Sequence, residues 1–498
     1  MRGSDEATER RSDEVKDNQD SGLRTQNANL KTASNTMPSL SERSRSLQPG
    51  AVGAVAKSLA PLAAVVALAA FLHFGVNPFL VAHSADFLAK VLLDIGIGIL
   101  LAVSLTMVNG FTGQFSIGHA AFMAVGAYTA AAIVYYSSFR LYGNAGVHGG
   151  LISSMLTGRE APVITGADGL FLGSLLAGGL VAAVCGYVVG LPSLRLRGDY
   201  LAIVTLGFGE IVRVLIQAQT TEALSPGASI SKEHLKLIPQ WKGTLTDDDL
   251  MTAESIAQVP AYLWPKYVGG ALGFSGLPFY TSLFWVFLFA GITVLVAYRI
   301  KRSSYGRAFL SIREDEIASE AMGVDTTKYK VRAFVISAFF AGIGGGLYAH
   351  TVGVQLSPAE LGFQKSFDII IMVVLGGMGS ISGAALAAAI LTILPELLRE
   401  PPSLWPWGWA VAAALAVALF VVLRGKRGLR AAAGILIAAG AWEGLRAIAH
   451  RTGINLSEYR MVLYALALIV MMILRPQGLF GIHEVWERST WSWLRRKA

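Results

Sequence analysis

Apolar residues run along this chain in blocks, and the blocks have the length of membrane spans. Leu59–Leu80, Asp86–Val108, Phe111–Tyr136, Leu170–Leu191, Tyr200–Gln217, Ser282–Ile300 and Ala333–Val354 each read as a crossing. Phe367–Leu398, Trp405–Leu423, Ala431–Ala449 and Tyr459–Leu474 follow. A bilayer core takes ~20 apolar residues as a helix. In hydrocarbon a helix satisfies its own backbone hydrogen bonds. The predicted fold class is therefore all-α, a polytopic membrane helix bundle of about ten spans. Broken or re-entrant helices, small-residue packing and an internal pseudo-repeat are expected within it.

The polar segments between the blocks orient them. Lys301–Arg332 is the longest charged interruption between two strongly apolar blocks, with seven Lys/Arg and five Asp/Glu. It belongs in water, and its basic excess places it on the cytoplasmic side. Its centre has helix grammar: Asp315, Glu316 and Glu320 lie early, and Gly323 lies just past the end. Ile317, Ala318, Ala321 and Met322 fall on one apolar stripe. That pattern predicts a short amphipathic helix held between two spans, although the spacing alone also fits an ordinary solvated loop. Residues 218–280 hold four Lys/Arg against six Asp/Glu and suit the outside, whereas Arg195 and Arg197 suit the inside.

Charge also exposes a parity problem. Arg424–Arg430 and the tail from Arg475 should both face inward. Both would lie outside if Phe367–Leu398 simply crossed. The conflict disappears if that block enters from outside, reverses at Gly376–Ser380 and leaves on the same side, which puts Gly377, Gly379 and Ser380 at a helix break. Gly113–Gly118, running into a small-residue helix, is echoed by Gly379–Gly383. Transporters place broken helices at corresponding points of two halves, and chance similarity between Gly/Ala-rich spans is the alternative. Gly186/Gly190, Gly342/Gly346 and Gly379/Gly383 repeat at a spacing that allows close helix contact.

Composition narrows the function. The chain is 53% hydrophobic and 15% charged, and its net +8 lies in loops beside spans, so it does not point to nucleic acid. Cys185 sits in an apolar run and reads as packing, with no intrachain disulfide possible. Residues 1–56 are polar and aperiodic and read as a disordered cytoplasmic tail without a cleavable signal peptide.

Polar groups inside spans find partners or line a path. Glu210 and Arg213 can pair at i, i+3, as a gate or as a structural bridge. Gln114, Ser116 and His119 cluster at the first break and could line the path or satisfy freed backbone groups. No metal is expected, since His119 has no second His or Cys at ligand spacing. Asp94 and Asp368 are either proton-coupling acids or hydrogen-bonded interfacial ones. The sequence has no Gly-x-x-x-x-Gly-Lys-Ser/Thr loop and no Gly-x-Ser-x-Gly elbow, and His483-Glu484 lacks a second His. An enzyme is not expected, and no catalytic residue is assigned.

Arg313-Glu-Asp-Glu-Ile-Ala-Ser-Glu-Ala-Met-Gly323, followed by Tyr329-Lys330, resembles the cytoplasmic coupling loop of permease subunits from bacterial branched-chain amino acid ABC importers, the LivM type in particular. Four further stretches carry the same resemblance: Asn109–Tyr128, Leu194–Arg213, Val373–Ser380 and Arg475–Phe480. It covers residues 57–481, a permease domain with a periplasmic insertion at 218–280, the coupling loop at 301–332 and an extra helical insertion at 401–455. Residues 482–498 read as a cytoplasmic tail.

The resemblance implies that Arg313, Glu314, Glu316, Ile317, Glu320, Ala321 and Gly323 couple to an ATPase groove. Gly113, Gln114, Ser116, His119, Glu210, Arg213, Gly377, Gly379 and Ser380 would belong to the translocation path or its broken helices. It implies a LivH-like second permease, two ABC ATPase subunits, a periplasmic solute-binding protein and the lipid bilayer as partners. The chain itself would bind no cofactor; ATP and Mg would sit on the ATPases. Location would be the bacterial inner membrane, with both termini cytoplasmic. Related scaffolds carry urea, short amides or sugars. An ion-coupled secondary transporter, using Asp94, Glu210 or Asp368, is the reading from another class.

Overall fold

The structure, a computed structural model, describes residues 51–82, 86–142, 146–153, 162–193, 200–218, 270–274, 276–351 and 355–399, and single positions from 413 to 484 that include Gly478, Gly481, His483 and Glu484. The chain divides into two compact units after Ala64. In the first, the described part is the start of helix α1 (Ala51–Phe71). The remaining described elements belong to the second unit, residues 65–498.

A π-turn (Leu72–Val76) leads from α1 to α2 (Asn77–Ala82). Helix α3 (Asp86–Leu105) ends in a second π-turn, Thr106–Gly110. Then come α4 (His119–Tyr142), α5 (Gly166–Ser193), α6 (Tyr200–Gln217) and α7 (Leu283–Arg302). Two short helices, α8 (Ser304–Glu314) and α9 (Glu316–Ala321), precede α10 (Thr326–Ala349). Helices α11 (Phe363–Gly376) and α12 (Ile381–Arg399) complete the described elements. Among the described residues, seven helical stretches are long and apolar enough to cross a membrane.

Helix α10 is the axis of the bundle and packs most extensively on α5 and α4. The three approach closely because each offers a glycine at one level. A Cβ on Gly178 would stand 2.7 Å from the Gly126 carbonyl oxygen, and one on Gly342 2.8 Å from that of Gly178. Small residues let helix backbones touch where no hydrophobic force separates protein from lipid.

The bundle has two distinguishable ends. At the charged end lie Arg299, Lys301 and Arg302 in the last turn of α7, then α8, α9 and the start of α10. At the far end the tail of α10 meets the head of α7: Thr281 Oγ1 donates to the Leu347 carbonyl at 2.7 Å, and His350 Nδ1 lies 2.8 Å from the Pro278 carbonyl. Asp168, 1% exposed in the first turn of α5, organises the loops there. It accepts the backbone N–H groups of Gly150 at 2.9 Å and Thr165 at 2.6 Å, and the hydroxyl of Ser153. Ser153 Oγ in turn accepts from Trp285 Nε1 at 3.0 Å. A buried carboxylate needs such donors, and sequence reasoning passed over this one.

Three expectations are corrected. The third span was placed from Phe111, but α4 starts at His119, and residues 111–118 are irregular because side chains of other segments take up their backbone groups, as described below. The span placed from Ala333 starts at Thr326: the Asp325 side chain caps it by accepting from the Lys328 N–H at 3.0 Å, so the charged residues 328–332 are helical. The first helix is already formed at Ala51, inside the stretch read as tail.

The reversal expected at Gly376–Ser380 is present. Helix α11 has only 14 residues, about 21 Å, which is short for a span. It descends to the charged end, turns through Gly377 (φ +107°) and Gly379 (φ +99°), and returns as the 19-residue α12. Ser380 N–H donates to the Gly377 carbonyl at 3.0 Å, and the Ser380 hydroxyl caps α12 by accepting from Gly383 N–H at 3.0 Å. Helix α12 runs antiparallel to α3, with Thr392 beside Gly98 and Gly379 against Gly110. Apart from single positions, the expected crossings at 405–423, 431–449 and 459–474 lie outside the described residues, as do Arg195, Arg197 and most of the 218–280 insertion.

Candidate functional site: the coupling segment and the paired helix breaks

The charged segment is helical almost throughout, as two helices rather than one. Ser303 caps α8 by accepting from Gly306 N–H at 3.3 Å, and Asp315 caps α9 by accepting from Ala318 N–H at 3.0 Å. Asp315 is extended (φ −157°, ψ 113°), so the chain bends between them. Helix α9 stops at Gly323, whose φ of +85° suits the left-handed stop of a Schellman motif. Val324 N–H donates to the Ser319 carbonyl at 3.0 Å and Gly323 N–H to that of Glu320 at 2.9 Å.

Side chains of this segment divide by direction. Ile317 is 67% exposed and Met322 85%, with Ala318 and Ala321 exposed beside them. The apolar stripe read from spacing thus faces outward, uncovered by any of the described residues. Glu314 is also exposed. Glu316, Glu320 and Arg313 are instead tied to the bundle by polar contacts, although Glu320 and the stop residue Gly323 are themselves exposed. Glu316 pairs with Lys330 at 2.6 Å, where Lys330 is 3% exposed. Glu320 Oε1 accepts from Thr326 Oγ1 at 2.7 Å. Phe309 and Ile312 of α8 are buried, and Phe309 meets Tyr329 edge-on. Arg313 reaches across the bundle and donates to the Gly110 carbonyl at 2.9 Å.

Gly110 ends the π-turn of α3, and beyond it the backbone leaves helical form. Groups freed there are satisfied by side chains. Asn109 Oδ1 accepts from Ser116 N–H at 3.2 Å, and its amide donates to the Ser116 carbonyl at 3.4 Å. Thr205 Oγ1 of α6 accepts from Ile117 N–H at 3.1 Å, and Ser366 Oγ of α11 accepts from Ala120 N–H at 3.2 Å. Non-helical backbone at membrane depth persists where protein supplies such partners. Gln114 is half-buried, and Gly113 and Phe115 are exposed. His119 is buried, its Nε2 2.8 Å from Ser104 Oγ.

The two breaks touch. A Cβ on Gly110 would stand 2.7 Å from Gly379 N. Lys301, at the end of α7, donates to the Gly379 carbonyl at 2.8 Å and lies 5.8 Å from the centre of the Phe111 ring. The C-terminal segment closes over the same place. Gly478 and Gly481 pack their backbones on Gly377, and Ser380 Oγ donates to the His483 carbonyl at 2.8 Å. Glu484, 1% exposed, caps the first turn of α12: it accepts from Ile381 and Ser382 N–H groups, both at 2.9 Å, and pairs with Lys301 at 2.6 Å. Burial works against its charged form. The hydrogen bonds from Lys301, Ser382 and Ile381 outweigh that and hold the Glu484 carboxyl below its usual range. Lys301 and Glu484 were not among the expected site residues; nothing in the spacing of a polar tail marks a buried cap.

Other expected site residues lie apart from this junction. Glu210 and Arg213 pair at 2.7 Å on α6, and Arg213 also donates to Gln217 at 2.8 Å. Both members of the pair are about a third exposed (39% and 30%). Asp94 lies within electrostatic reach of Lys90, Lys365 and Glu396, and Asp368 within reach of Lys365.

Residues 87–423 match the family described as "Branched-chain amino acid transport system / permease component". The chain belongs to this permease family. It is 34% identical over 329 residues to the high-affinity branched-chain amino acid transport system permease protein LivM of Salmonella typhimurium, and equally to that of Escherichia coli. Those alignments cover 65% of this chain and 65% of each relative, so the chain spans just under two-thirds of their length. The probable LivM of Methanocaldococcus jannaschii is 27% identical over 323 residues, covering 63% of this chain and 82% of that one. LivH of Escherichia coli is 32% identical over 116 residues, 23% of this chain and 37% of LivH. No solved structure matches. The family is one of transport permeases, not enzymes. Its match takes in α4 to α12 and nearly all of α3, with both breaks and the coupling segment, and stops short of Gly478–Glu484.

Proposed function

We propose that this permease is one membrane subunit of an ATP-binding-cassette importer for branched-chain amino acids. A LivH-like second permease would complete the path, two ATPase subunits would dock from the cytoplasm, and a periplasmic solute-binding protein would deliver Leu, Ile or Val. The observation that carries this reading is the outward apolar stripe of α9, held on a helix whose other faces are anchored to the bundle. A permease without a phosphate-binding loop of its own takes its free energy from elsewhere. A stripe of Ile and Met on a rigid, charged-end helix suits a groove on a moving partner.

In this scheme ATP closes the ATPase dimer and displaces α9. Glu316–Lys330 and Glu320–Thr326 pass the displacement to α10, and Arg313 passes it to Gly110, where the broken segments meet. The path between the two permeases then changes the side it faces. Both termini would be cytoplasmic, in the bacterial inner membrane.

The test is purification of the chain with its co-expressed partners in lipid vesicles. Branched-chain amino acids presented by the binding protein are expected to stimulate ATP hydrolysis and drive uptake. Uptake by the isolated chain on a proton gradient alone would overturn the reading. Sidedness gives a second check. In a Cys185→Ser background, a membrane-impermeant thiol reagent added from the periplasm should label Pro402→Cys and not Lys426→Cys. Labelling of position 402 only from the cytoplasm would contradict the reversal at Gly377–Ser380 as the solution to the charge parity.

A further inference from the structure

The coupling segment touches the path at one place that neither the family match nor the stripe accounts for. Lys301 stands two residues before the cap of α8, and its ammonium reaches the Gly379 carbonyl and the Glu484 carboxylate together. Glu484 comes from beyond the last expected span, yet it is as buried as the core. Four donors fix it in sequence-distant company: Ile381 N–H, Ser382 N–H, the Ser382 hydroxyl at 2.7 Å, and the Lys301 ammonium. A carboxylate at the start of a helix also meets the positive end of its dipole. The broken turn is thus held between the end of α7 and the contacts made by Gly478, Gly481, His483 and Glu484.

We propose that Glu484 is a positioning residue of the transport cycle. With Lys301 it latches the Gly377–Ser380 turn to the end of α7, so that a displacement of the coupling segment moves the break as one piece. Glu484 is then a working part of the permease and not of a tail. This rests on the importer reading above. Without the latch the ATPases would still close, but the break would lag behind and solute would not follow.

The experiment uses the assembled transporter in vesicles and reads solute moved per ATP hydrolysed. Glu484→Ala and Lys301→Met are each expected to lower that ratio by about tenfold while hydrolysis and subunit composition persist. The double variant should be no worse than the worse single one, because both remove one interaction. Glu484→Gln keeps a carbonyl for the backbone N–H groups but loses the charge, and should fall between. As a readout that mere stability would not move, the ATP-induced change in thiol labelling of Met378→Cys, half exposed beside the break, should disappear in Glu484→Ala. An unchanged ratio in Glu484→Ala would overturn the role. So would independent, multiplying effects in the double variant, or loss of the assembled complex in both Glu484 variants, which would make the residue structural only. If the unaltered transporter fails to couple ATP to uptake, the importer reading itself fails, and this role with it.

Discussion

Ile317→Asp is expected to abolish uptake while leaving the thermal stability of the permease unchanged. The side chain is 67% exposed and so contributes little to the packing of the bundle. In a partner's groove, burying it would contribute ~1.5–3 kcal/mol. A carboxylate in the same place loses that and adds the larger cost of an unpaired buried charge. A loss of ~3 kcal/mol is already over a hundredfold in affinity, enough to empty the groove at ordinary subunit concentrations. Met322→Asp should behave alike. Co-purification of the ATPase subunits, uptake in vesicles and a melting curve of the permease check the three parts of the expectation.

Residues behind the stripe should fail differently. Glu316→Ala strands Lys330, which is 3% exposed, and should lower stability by about 1–3 kcal/mol. Gly323→Pro asks a ring fixed near φ −65° to occupy φ +85°, so α9 would lose its stop and its aim; assembly of the spans should survive and uptake should not. Glu320→Lys removes the acceptor for Thr326 and should do the same. Normal uptake and normal ATPase binding in Ile317→Asp would remove the reason for placing a motor on this face.

Much of this could be read from residue spacing, and the limits are physical. The stripe Ile317, Ala318, Ala321, Met322 and the stop at Gly323 were legible because exposure and helix periodicity are local properties. The reversal at Gly376–Ser380 was legible because loop charge must alternate across a membrane. What remained hidden was the direction of polar side chains. Glu316 and Ile317 stand next to each other, yet one pairs with α10 and the other faces outward, and only the bend at Asp315 decides which. Arg313 was grouped with the docking residues, but its guanidinium turns to Gly110. The contact of Gly110 with Gly379, and the return of Glu484 to cap α12, depend on a long-range meeting of segments that no window of residues contains. Helix starts were misplaced for a related reason: hydropathy marks where a chain is apolar, whereas caps such as Asp325 mark where a helix begins.

Gly178→Val is expected to prevent the bundle from forming, and Gly173→Val, on the same helix, to be silent. A Cβ at 178 would stand 2.7 Å from the carbonyl oxygen of Gly126, and the atom it meets is backbone. Backbone cannot turn away as a side chain can, so α4 and α5 must separate along their length. Overpacking a core costs ~1–3 kcal/mol where side chains can shift; here none is available to shift, and Gly342 stands on the same contact, so the separation would spread to α10. In a membrane nothing compensates, since lipid is as apolar as the helix face and association rests on close packing. Gly173 is exposed with nothing within 4 Å of its Cβ position. Both variants add the same side chain to the same apolar helix, so insertion into the membrane and helix propensity are matched. Only the packing differs. Folded protein recovered from membranes, measured by size-exclusion profile and melting temperature, should fall below detection for Gly178→Val and match the parent for Gly173→Val. Equal recovery of the two would mean that α4, α5 and α10 do not meet through these glycines, and the axis assigned to the bundle would be wrong.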